Sequence, residues 1–478
     1  MNRAIRWYDY ITININWFAL TARSQTISPL IIPLLVQQFV GEAAKGAAVG
    51  SIRLWALMVA VLIQALMGML SDHSTHRHGR RRPFILIGTL GEIVIFTLIG
   101  FTAGMEGLAG YWMLFALYIL SMVSANTAHA ATQGLIPDLV PENMRGRFSG
   151  VKALMELPLP LIFVSFVIGR MVGQGNLWGA IIILLLVMAA CAGLAMKVTE
   201  QRLEKPLFTL DWQPFLRLLG MTAVFTVVIL GMGALVRWFL TLSLGLSQIL
   251  TAIITAAAGV IAIAVAVAIG VIVSLRIGIG KDIQYQASFK WWVVNRLAFL
   301  VGSTNVATFL IFFLQERFID LPGEKAAGPA ATITMFVGIF ILFTALPSGW
   351  LADRFGKKIL IAIAGVVATM GIIVMLLVPS MSALYVAGCL VGAGIGLFYS
   401  ANWALGTEIV PREQAGRFLG LSNLAGAGAG AIGAYVAGPI ADVLGYTLVM
   451  GIYGLLFFLS IFALLGIQEQ RVKAAART

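Results

Sequence analysis

Charged residues are scarce in this sequence. Only 11% of its 478 residues are Asp, Glu, Lys or Arg, and 60% are hydrophobic, whereas a soluble protein carries about 25% charged residues. We therefore expect most of the surface to face lipid. Cysteine is scarcer still. Because Cys191 and Cys389 both lie in apolar runs, they offer neither a disulfide framework nor a thiolate metal site.

Motifs of catalysis and nucleotide chemistry are also missing. The sequence has no phosphate-binding loop, nucleophile elbow or zinc-protease motif. The glycines from Gly392 to Gly396 lie inside an apolar run, where glycine serves close helix packing. His73, His76 and His78 share a loop that lacks the cysteines or acids of a zinc site. We therefore expect no enzyme, no metal site and no cofactor.

Long apolar runs are abundant. About 20 apolar residues in a helix cross the ~30 Å hydrocarbon core of a bilayer. Twelve such runs fall in two sets of six, at about 11–40, 48–71, 83–104, 111–134, 148–172, 177–197, 292–315, 329–352, 358–379, 383–406, 417–441 and 446–468. Two further runs, at about 215–239 and 248–275, lie between charged connections.

These runs predict an all-α polytopic membrane protein with 14 spans. We expect an N-terminal six-helix bundle at 1–200 and a C-terminal six-helix bundle at 291–478. A central segment at 201–290 would carry the two extra transmembrane helices as an inserted hairpin.

The basic residues are unevenly distributed. Most of the 32 Lys and Arg residues fall in the tails and in alternate connections. The exceptions are Arg23 inside a helix and, on or near the other side, Lys45, Arg53, Arg170, Arg237, Arg317 and Lys325. By the positive-inside rule, both termini lie in the cytoplasm and the membrane is the cell (inner) membrane. The net charge of +12 thus indicates orientation and not a nucleic-acid partner.

Two motifs occur twice. After the second span of each set, a glycine is followed four residues later by aspartate and then by basic residues, at Gly68–Asp72 and Gly349–Asp353. After the fourth span, an acid precedes proline and then Gly-Arg-Phe, at Asp138–Phe148 and Glu408–Phe418. Motifs repeated in order at equivalent helix ends predict two parallel repeats, related by an axis along the membrane normal.

The paired loops resemble the signature of the major facilitator superfamily, in both sets of six but not in the inserted pair. The first loop, Gln64–Ile85, together with Asn126 and Gln133, is similar to the sucrose/proton symporters of plants and their bacterial relatives, and more distantly to the glycoside–cation symporters. The resemblance implies the major facilitator fold and transport of a sugar or glycoside-like solute. Ala60 and Gln64 stand where the sodium-coupled relatives carry acids, so the resemblance does not extend to a sodium site.

Three ionisable residues lie deep in the predicted spans. Counted from the cytoplasmic helix starts at ~1.5 Å per residue, Arg23 lies about 20 Å deep, Glu92 about 13 Å and Glu156 about 12 Å. Such groups cost at least ~2.5–3.5 kcal/mol near the membrane centre. In the fold that the resemblance implies, the first and fifth helices are neighbours. We therefore expect Arg23 and Glu156 to form the central pair, with Glu92 as a second candidate, for proton coupling, substrate binding or a structural ion pair.

Polar and aromatic residues on the first, fourth, seventh and tenth helices of the implied fold are candidates for lining a substrate cavity. They are Asn14, Asn16, Gln25, Asn126, His129, Asn305, Tyr399, Asn402 and Trp403. Residues of this kind also join helices to one another or form an aromatic belt at the membrane interface, and that alternative stays open.

The repeated loops predict a cytoplasmic gate, in which carboxylates meet cations or helix ends of the opposite bundle and release them as the bundles rock. The gate candidates are Asp72, Arg80, Arg81, Asp138, Arg147, Asp353, Lys357, Glu408 and Arg417.

We therefore expect a secondary transporter of a small polar solute, working by alternating access and coupled to protons. Two alternatives remain open. One is an exporter of amphipathic compounds on the same fold. The other is a non-transporting accessory or assembly subunit, which would bind a membrane-protein partner through the inserted hairpin.

Overall fold

The computed structural model describes residues 5–200, 211–243, 245–279, 287–409 and 415–467. This part of the chain contains 14 helices that are long and apolar enough to cross a membrane, so the predicted all-α architecture is confirmed. The helices are α1 (Asp9–Val40), α2 (Lys45–His73), α3 (Arg82–Thr102), α4 (Gly107–Leu139), α5 (Glu142–Gly173), α6 (Leu177–Ala195), α7 (Gln213–Ser243), α8 (Gln248–Ile279), α9 (Ala287–Arg317), α10 (Gly323–Phe355), α11 (Lys357–Leu377), α12 (Met381–Ile409), α13 (Ala415–Leu444) and α14 (Tyr446–Gly466).

Two of these helices are irregular. In α1 a π-helical turn occupies Ile27–Ile31, with Pro29 inside it. In α5 the α-helix breaks at Leu157 before Pro158, and a π-helical turn follows at Val164–Ile168. Proline has no backbone N–H and its ring clashes with the preceding turn, which accounts for the break. Neighbouring helices must satisfy the backbone groups that are freed in this way.

Single glycines make the tightest connections. Gly356 alone separates α10 from α11, and Gly445 alone separates α13 from α14. Their φ angles are 95° and 89°, in the region where a side chain is strained. A glycine at each position therefore allows the chain to reverse direction within one residue.

The helices group around two centres. Helices α1–α6 pack against one another and form the N-terminal bundle, and α9–α14 form the C-terminal bundle in the same way. The inserted helices α7 and α8 pack together, and both lie against α13. Because α7 also contacts α2, the inserted pair covers the line along which the two bundles meet.

The two bundles meet through α2 with α13 and through α5 with α10. Small residues permit this close approach: a Cβ on Gly46 would stand 2.6 Å from the carbonyl oxygen of Gly438, and a Cβ on Gly173 would stand 3.4 Å from the backbone of Gly328. We call the membrane side on which α1 begins the terminal face, and the other side, where α2 begins, the distal face. All four glycines lie toward the distal face.

Contact between the bundles is lost toward the terminal face. Gly68 of α2 has only Ala130, of its own bundle, at 4.0 Å, and Gly349 of α10 has no atom within 4 Å of an added Cβ. Within the described residues, the hydrogen bonds that join the two bundles all lie between the distal face and the middle of the helices. In this conformation the molecule is therefore closed at its distal face.

Candidate functional site

A buried ion pair joins α1 to α3. The Nε of Arg23 donates to Oε1 of Glu92 across 2.5 Å, and the two residues are only 4% and 1% exposed. Ser121 of α4 donates to the same carboxylate oxygen across 2.7 Å and also contacts the guanidinium of Arg23. The other oxygen of Glu92, Oε2, is buried without a hydrogen-bond partner among the described residues. A proton could bind there while Oε1 keeps accepting from Arg23.

The expected pair of Arg23 with Glu156 is wrong. Glu156 ends the first helical segment of α5 and pairs with Lys152, one turn earlier, across 3.4 Å. The Nζ of Lys152 also lies 3.9 Å from the ring centroid of Trp17 in α1. The break at Leu157 leaves the Glu156 side chain 39% exposed, where a cation of its own helix can reach it, whereas Arg23 is directed toward the fully buried Glu92.

Most of the expected cavity residues make hydrogen bonds within or between helices. Asn14, Asn16, Asn126 and Asn305 each donate to an oxygen of their own or a neighbouring helix at 2.7–2.9 Å. Gln25 is half-buried in α1. His129 packs edge-on against Trp17, with 5.3 Å between ring centroids. Asn14, Asn16 and Asn305 also donate to a neighbouring helix and so connect helices, whereas Asn126 donates within α4.

Asn402 belongs to a cluster whose central residue was not expected. The Nη1 of Arg296, in α9, donates to Oδ1 of Asn402 across 2.9 Å. Asn402 in turn donates to Oδ1 of Asn295 across 3.0 Å. The rings of Tyr399 and Trp403 lie beside the guanidinium, with their centroids 5.9 and 5.8 Å from its carbon. Three of the expected cavity residues thus converge on one buried arginine.

Arg296 was not expected at a buried site, because a span starting at about 292 places this arginine at the membrane boundary. Helix α9 in fact begins at Ala287, so Arg296 lies about 13 Å along the helix. The arginine is only 6% exposed, and its Nε is buried without a hydrogen-bond partner among the described residues. Tryptophan is typical of the membrane interface. Because Trp291 and Trp292 precede Arg296 in the sequence, they indicated that Arg296 lies within the membrane and not at its boundary.

Arg53 is a second cation, which was expected on or near the other side of the membrane. Its Nη1 donates to Oγ of Ser28 in α1 across 2.6 Å. Its Nη2 approaches the carbonyl oxygen of Thr304 in α9 at 3.5 Å, and its Nε is buried without a partner among the described residues. Arg53 therefore lies between the two bundles, near the middle of α9.

At the terminal face, the gate residues of the N-terminal bundle pair with one another. Arg81 forms ion pairs with Asp72 and, across 2.8 Å, with Asp138, which also pairs with Arg80. Arg147 is exposed. These residues are the expected ones, but their partners belong to the same bundle.

Glu200, which follows α6, was not expected at this site. Its two carboxylate oxygens accept from the backbone amides of Arg81 and Arg82 at 2.8 and 3.0 Å, and so cap the start of α3. Burial raises the pKa of Glu200 above its usual value, although these amide bonds and the charge of Arg82 oppose the increase. The connection that follows α6 is thus fastened to the first gate loop.

The equivalent cluster of the C-terminal bundle is smaller. Lys357 pairs with Glu408 across 2.8 Å, and Asp353 is exposed. The side chain of Arg417 lies outside the described residues. Within the described part of the chain, no ion pair joins the gate residues of one bundle to those of the other. This is expected when the two bundles are separated at the terminal face.

Comparison with known proteins gives one family. Residues 15–318 and 297–477 match the family model described as Major Facilitator Superfamily. A stretch of 146 residues is 27% identical to myo-inositol transporter 2 of Schizosaccharomyces pombe and covers 29% of this chain and 26% of that protein. A stretch of 148 residues is 25% identical to inositol transporter 4 of Arabidopsis thaliana and covers 29% of this chain and 25% of that one. The chain thus matches about a quarter of each relative's length.

Solved structures are similar over nearly the whole chain. The nucleoside transporter NupG has a TM-score of 0.66 at 11% identity and covers 96% of this chain and 100% of its own. A D-xylose–proton symporter has a TM-score of 0.63 at 15% identity, with 98% and 99% covered. A POT family transporter has a TM-score of 0.65 at 14% identity, with 95% of each chain covered. At these identities the similarity concerns the fold.

Proposed function

Because the chain belongs to the Major Facilitator Superfamily, as its repeated loops predicted, we propose that it is a secondary active transporter that moves a small polar solute by alternating access. The observation that carries the proposal is the one-sided contact between the bundles. They are joined at the distal face through α2 with α13 and α5 with α10, and the gate clusters at the terminal face pair within their own bundles. A transporter caught open to one side has this arrangement.

In this proposal the two bundles, 1–200 and 291–478, rock as bodies around a central site. Closure at the terminal face would bring the gate residues of the two bundles together, and the distal contacts would separate in exchange. The positive-inside pattern puts the terminal face in the cytoplasm. The conformation described here is then the inward-open one, in the cell membrane.

We assign proton coupling to Glu92. Glu92 is more deeply buried than Glu156, and its Oε2 has no hydrogen-bond partner among the described residues. Intramembrane carboxylates commonly serve as proton relays. Protonation would weaken the attraction between Glu92 and Arg23 and so loosen α1 from α3, which provides a link between the proton and the movement of the first bundle.

The cluster around Arg296 favours a polar solute over the amphipathic compounds of an exporter. Arg296, Asn295 and Asn402 form a continuous hydrogen-bonded network beside exposed aromatic rings. Such a group fits the sugar or glycoside-like solutes implied by the resemblance to the sucrose and glycoside symporters, because hydroxyl groups need partners and sugar rings stack on aromatic faces.

Uptake into proteoliposomes tests the proposal. The full chain would be reconstituted and supplied with a panel of radiolabelled sugars, glycosides and sugar acids, with and without an inward proton gradient. We expect one class of solute to accumulate only with the gradient and to exchange in counterflow without it. Liposomes without protein are the control. If no solute is exchanged and a stoichiometric membrane protein co-purifies, the accessory-subunit alternative replaces the transporter.

A further inference from the structure

Two arginines, Arg53 between the bundles and Arg296 inside the C-terminal bundle, lack an acidic partner among the described residues. Within the described residues, the deep acids Glu92 and Glu156 already pair with cations of the N-terminal bundle. Arg53 and Arg296 form no ion pair there, and the Nε of each is buried without a hydrogen-bond partner. A buried charge without a counterion is costly. A ligand anion would remove that cost.

The guanidinium of Arg296 is held in a fixed orientation with one edge free. Its Nη1 donates to Asn402, which is itself bonded to Asn295. Nε has no partner in the described part of the chain, and Nε and Nη2 together form the edge that can donate two parallel hydrogen bonds to a carboxylate. Because the side-chain amides of Asn402 and Asn295 already hold the guanidinium in place, the side chain of Arg296 loses little conformational entropy when a ligand binds.

Three aromatic rings lie near the guanidinium of Arg296. The guanidinium carbon lies 5.7 Å from the ring centroid of Trp292, and the rings of Tyr399 and Trp403 are at similar distances. Trp292 is buried, whereas Tyr399 and Trp403 are 40% and 41% exposed. The cluster can therefore be reached from the side of α12 past these two rings, and the Nε of Arg296 behind them is covered in this conformation. A solute with an acid group on a flat or cyclic body fits a fixed cation beside accessible rings.

We propose that Arg296 binds the carboxylate of the solute, while Tyr399 and Trp403 contact its body. Within the sugar or glycoside-like class proposed above, the solute is then one that carries an acid group, such as a sugar acid. Arg53 reaches α9 at Thr304, roughly 12 Å further along the helix, and contributes a second positive charge that attracts an anion toward the same helix. That this ligand is also transported rests on the proposed function; that it binds does not.

Binding to the purified full chain in nanodiscs tests the proposal separately from transport. The probes are glucose, glucuronate and glucose 6-phosphate, which share one ring, together with gluconate and benzoate, and calorimetry reports the affinity. We expect glucuronate to bind about thirtyfold more tightly than glucose, or better. Arg296→Gln should remove this preference, and Arg296→Lys should retain part of it, because lysine keeps the charge without the fork.

Arg170→Gln is the matched control, because Arg170 is an exposed cation beside Phe166. It should leave the preference for glucuronate unchanged. Equal affinity for glucose and glucuronate, an undiminished preference in a folded Arg296→Gln or Arg296→Lys variant, or no binding by any carboxylate overturns the proposal. Tighter binding of glucose 6-phosphate than of glucuronate overturns the assignment to a carboxylate in favour of a phosphate. Carboxylate binding without accumulation in proteoliposomes would contradict transport and leave the binding site standing.

Discussion

The carboxylate of Asp442, in α13, accepts a hydrogen bond of 2.7 Å from the backbone amide of Gly46, in α2. Its other oxygen accepts from the amide of Ala47 across 2.8 Å. Helix α2 has no side-chain cap of its own, so an acid of the C-terminal bundle caps a helix of the N-terminal bundle. A negative charge there also complements the positive end of the helix dipole. The distal closure therefore depends on a bond that must break whenever the bundles separate on that side.

Asp442→Ala should shift the protein toward opening at the distal face. Loss of a helix cap costs about 1–2 kcal/mol, which changes the ratio of two states by a factor of about 5–30. A Thr304→Cys reporter, with Cys191 and Cys389 replaced by serine, should react correspondingly faster with an impermeant maleimide added from the distal side.

Asp320→Ala is the control for this experiment, because Asp320 is an exposed acid of the same face and caps no helix of the other bundle within the described part of the chain. It should leave the labelling rate unchanged. An equal rate in the Asp442→Ala and Asp320→Ala proteins would show that the cap does not hold the distal face closed.

Gly50→Ala should weaken the same contact by a different route. A Cβ at this position would lie 2.5 Å from the carbonyl oxygen of Ala434, and since that atom is backbone, the helices themselves must move apart. We expect a loss of about 1–3 kcal/mol in stability, measured as a lower melting temperature in detergent. Gly349→Ala is the control, because a Cβ there would have no atom within 4 Å, and its melting temperature should equal that of the wild-type protein. Equal melting of both variants would mean that α2 and α13 are not tightly packed in solution.

The membrane-spanning helices could be predicted from the sequence, because lipid requires a long apolar run for each span. The repeated loops were enough to predict the family. The sequence was not enough to predict the partner of Arg23. The position of a residue along a helix gives the depth of its side chain in the membrane. The choice between Glu92 and Glu156 depended also on the break before Pro158, which leaves Glu156 beside Lys152, and on Ser121, which tertiary packing brings to Glu92.

The helix caps that Asp442 and Glu200 supply could not be predicted from the sequence. Each joins residues more than a hundred positions apart, and each acid reads in the sequence as an ordinary charge near a loop. The prediction for Arg296 failed for another reason. The start of α9 was predicted five residues too late, and a cation at a helix boundary is normally interpreted as one that anchors the helix at the membrane surface. The expected position of a span end thus decided whether a charge counted as buried.

Asp138→Asn should damage the first gate cluster more than Asp72→Asn. Among the described residues, Asp138 pairs with both Arg80 and Arg81 and its side chain is 17% exposed, whereas Asp72 pairs with Arg81 and its side chain is 47% exposed. We expect Asp138→Asn to cost about 1–3 kcal/mol of stability. Asp72→Asn should slow transport while membrane insertion stays normal, measured by uptake per inserted molecule. Unchanged transport in the Asp72→Asn protein would remove this residue from the gate.

Glu92→Gln should abolish accumulation of solute driven by a proton gradient but spare counterflow exchange. Glutamine keeps the shape of the side chain and cannot take up the proton, so the movement of the bundles would continue without coupling. The buried Arg23 would lose its counterion, which costs about 3–5 kcal/mol. The double variant Arg23→Gln with Glu92→Gln therefore separates coupling from stability, since it should recover the melting temperature but not the accumulation. Glu156→Gln is the comparison: its partner Lys152 is also partly exposed, and accumulation should survive. If accumulation is lost in Glu156→Gln and kept in Glu92→Gln, the proton is carried by the acid of α5 instead.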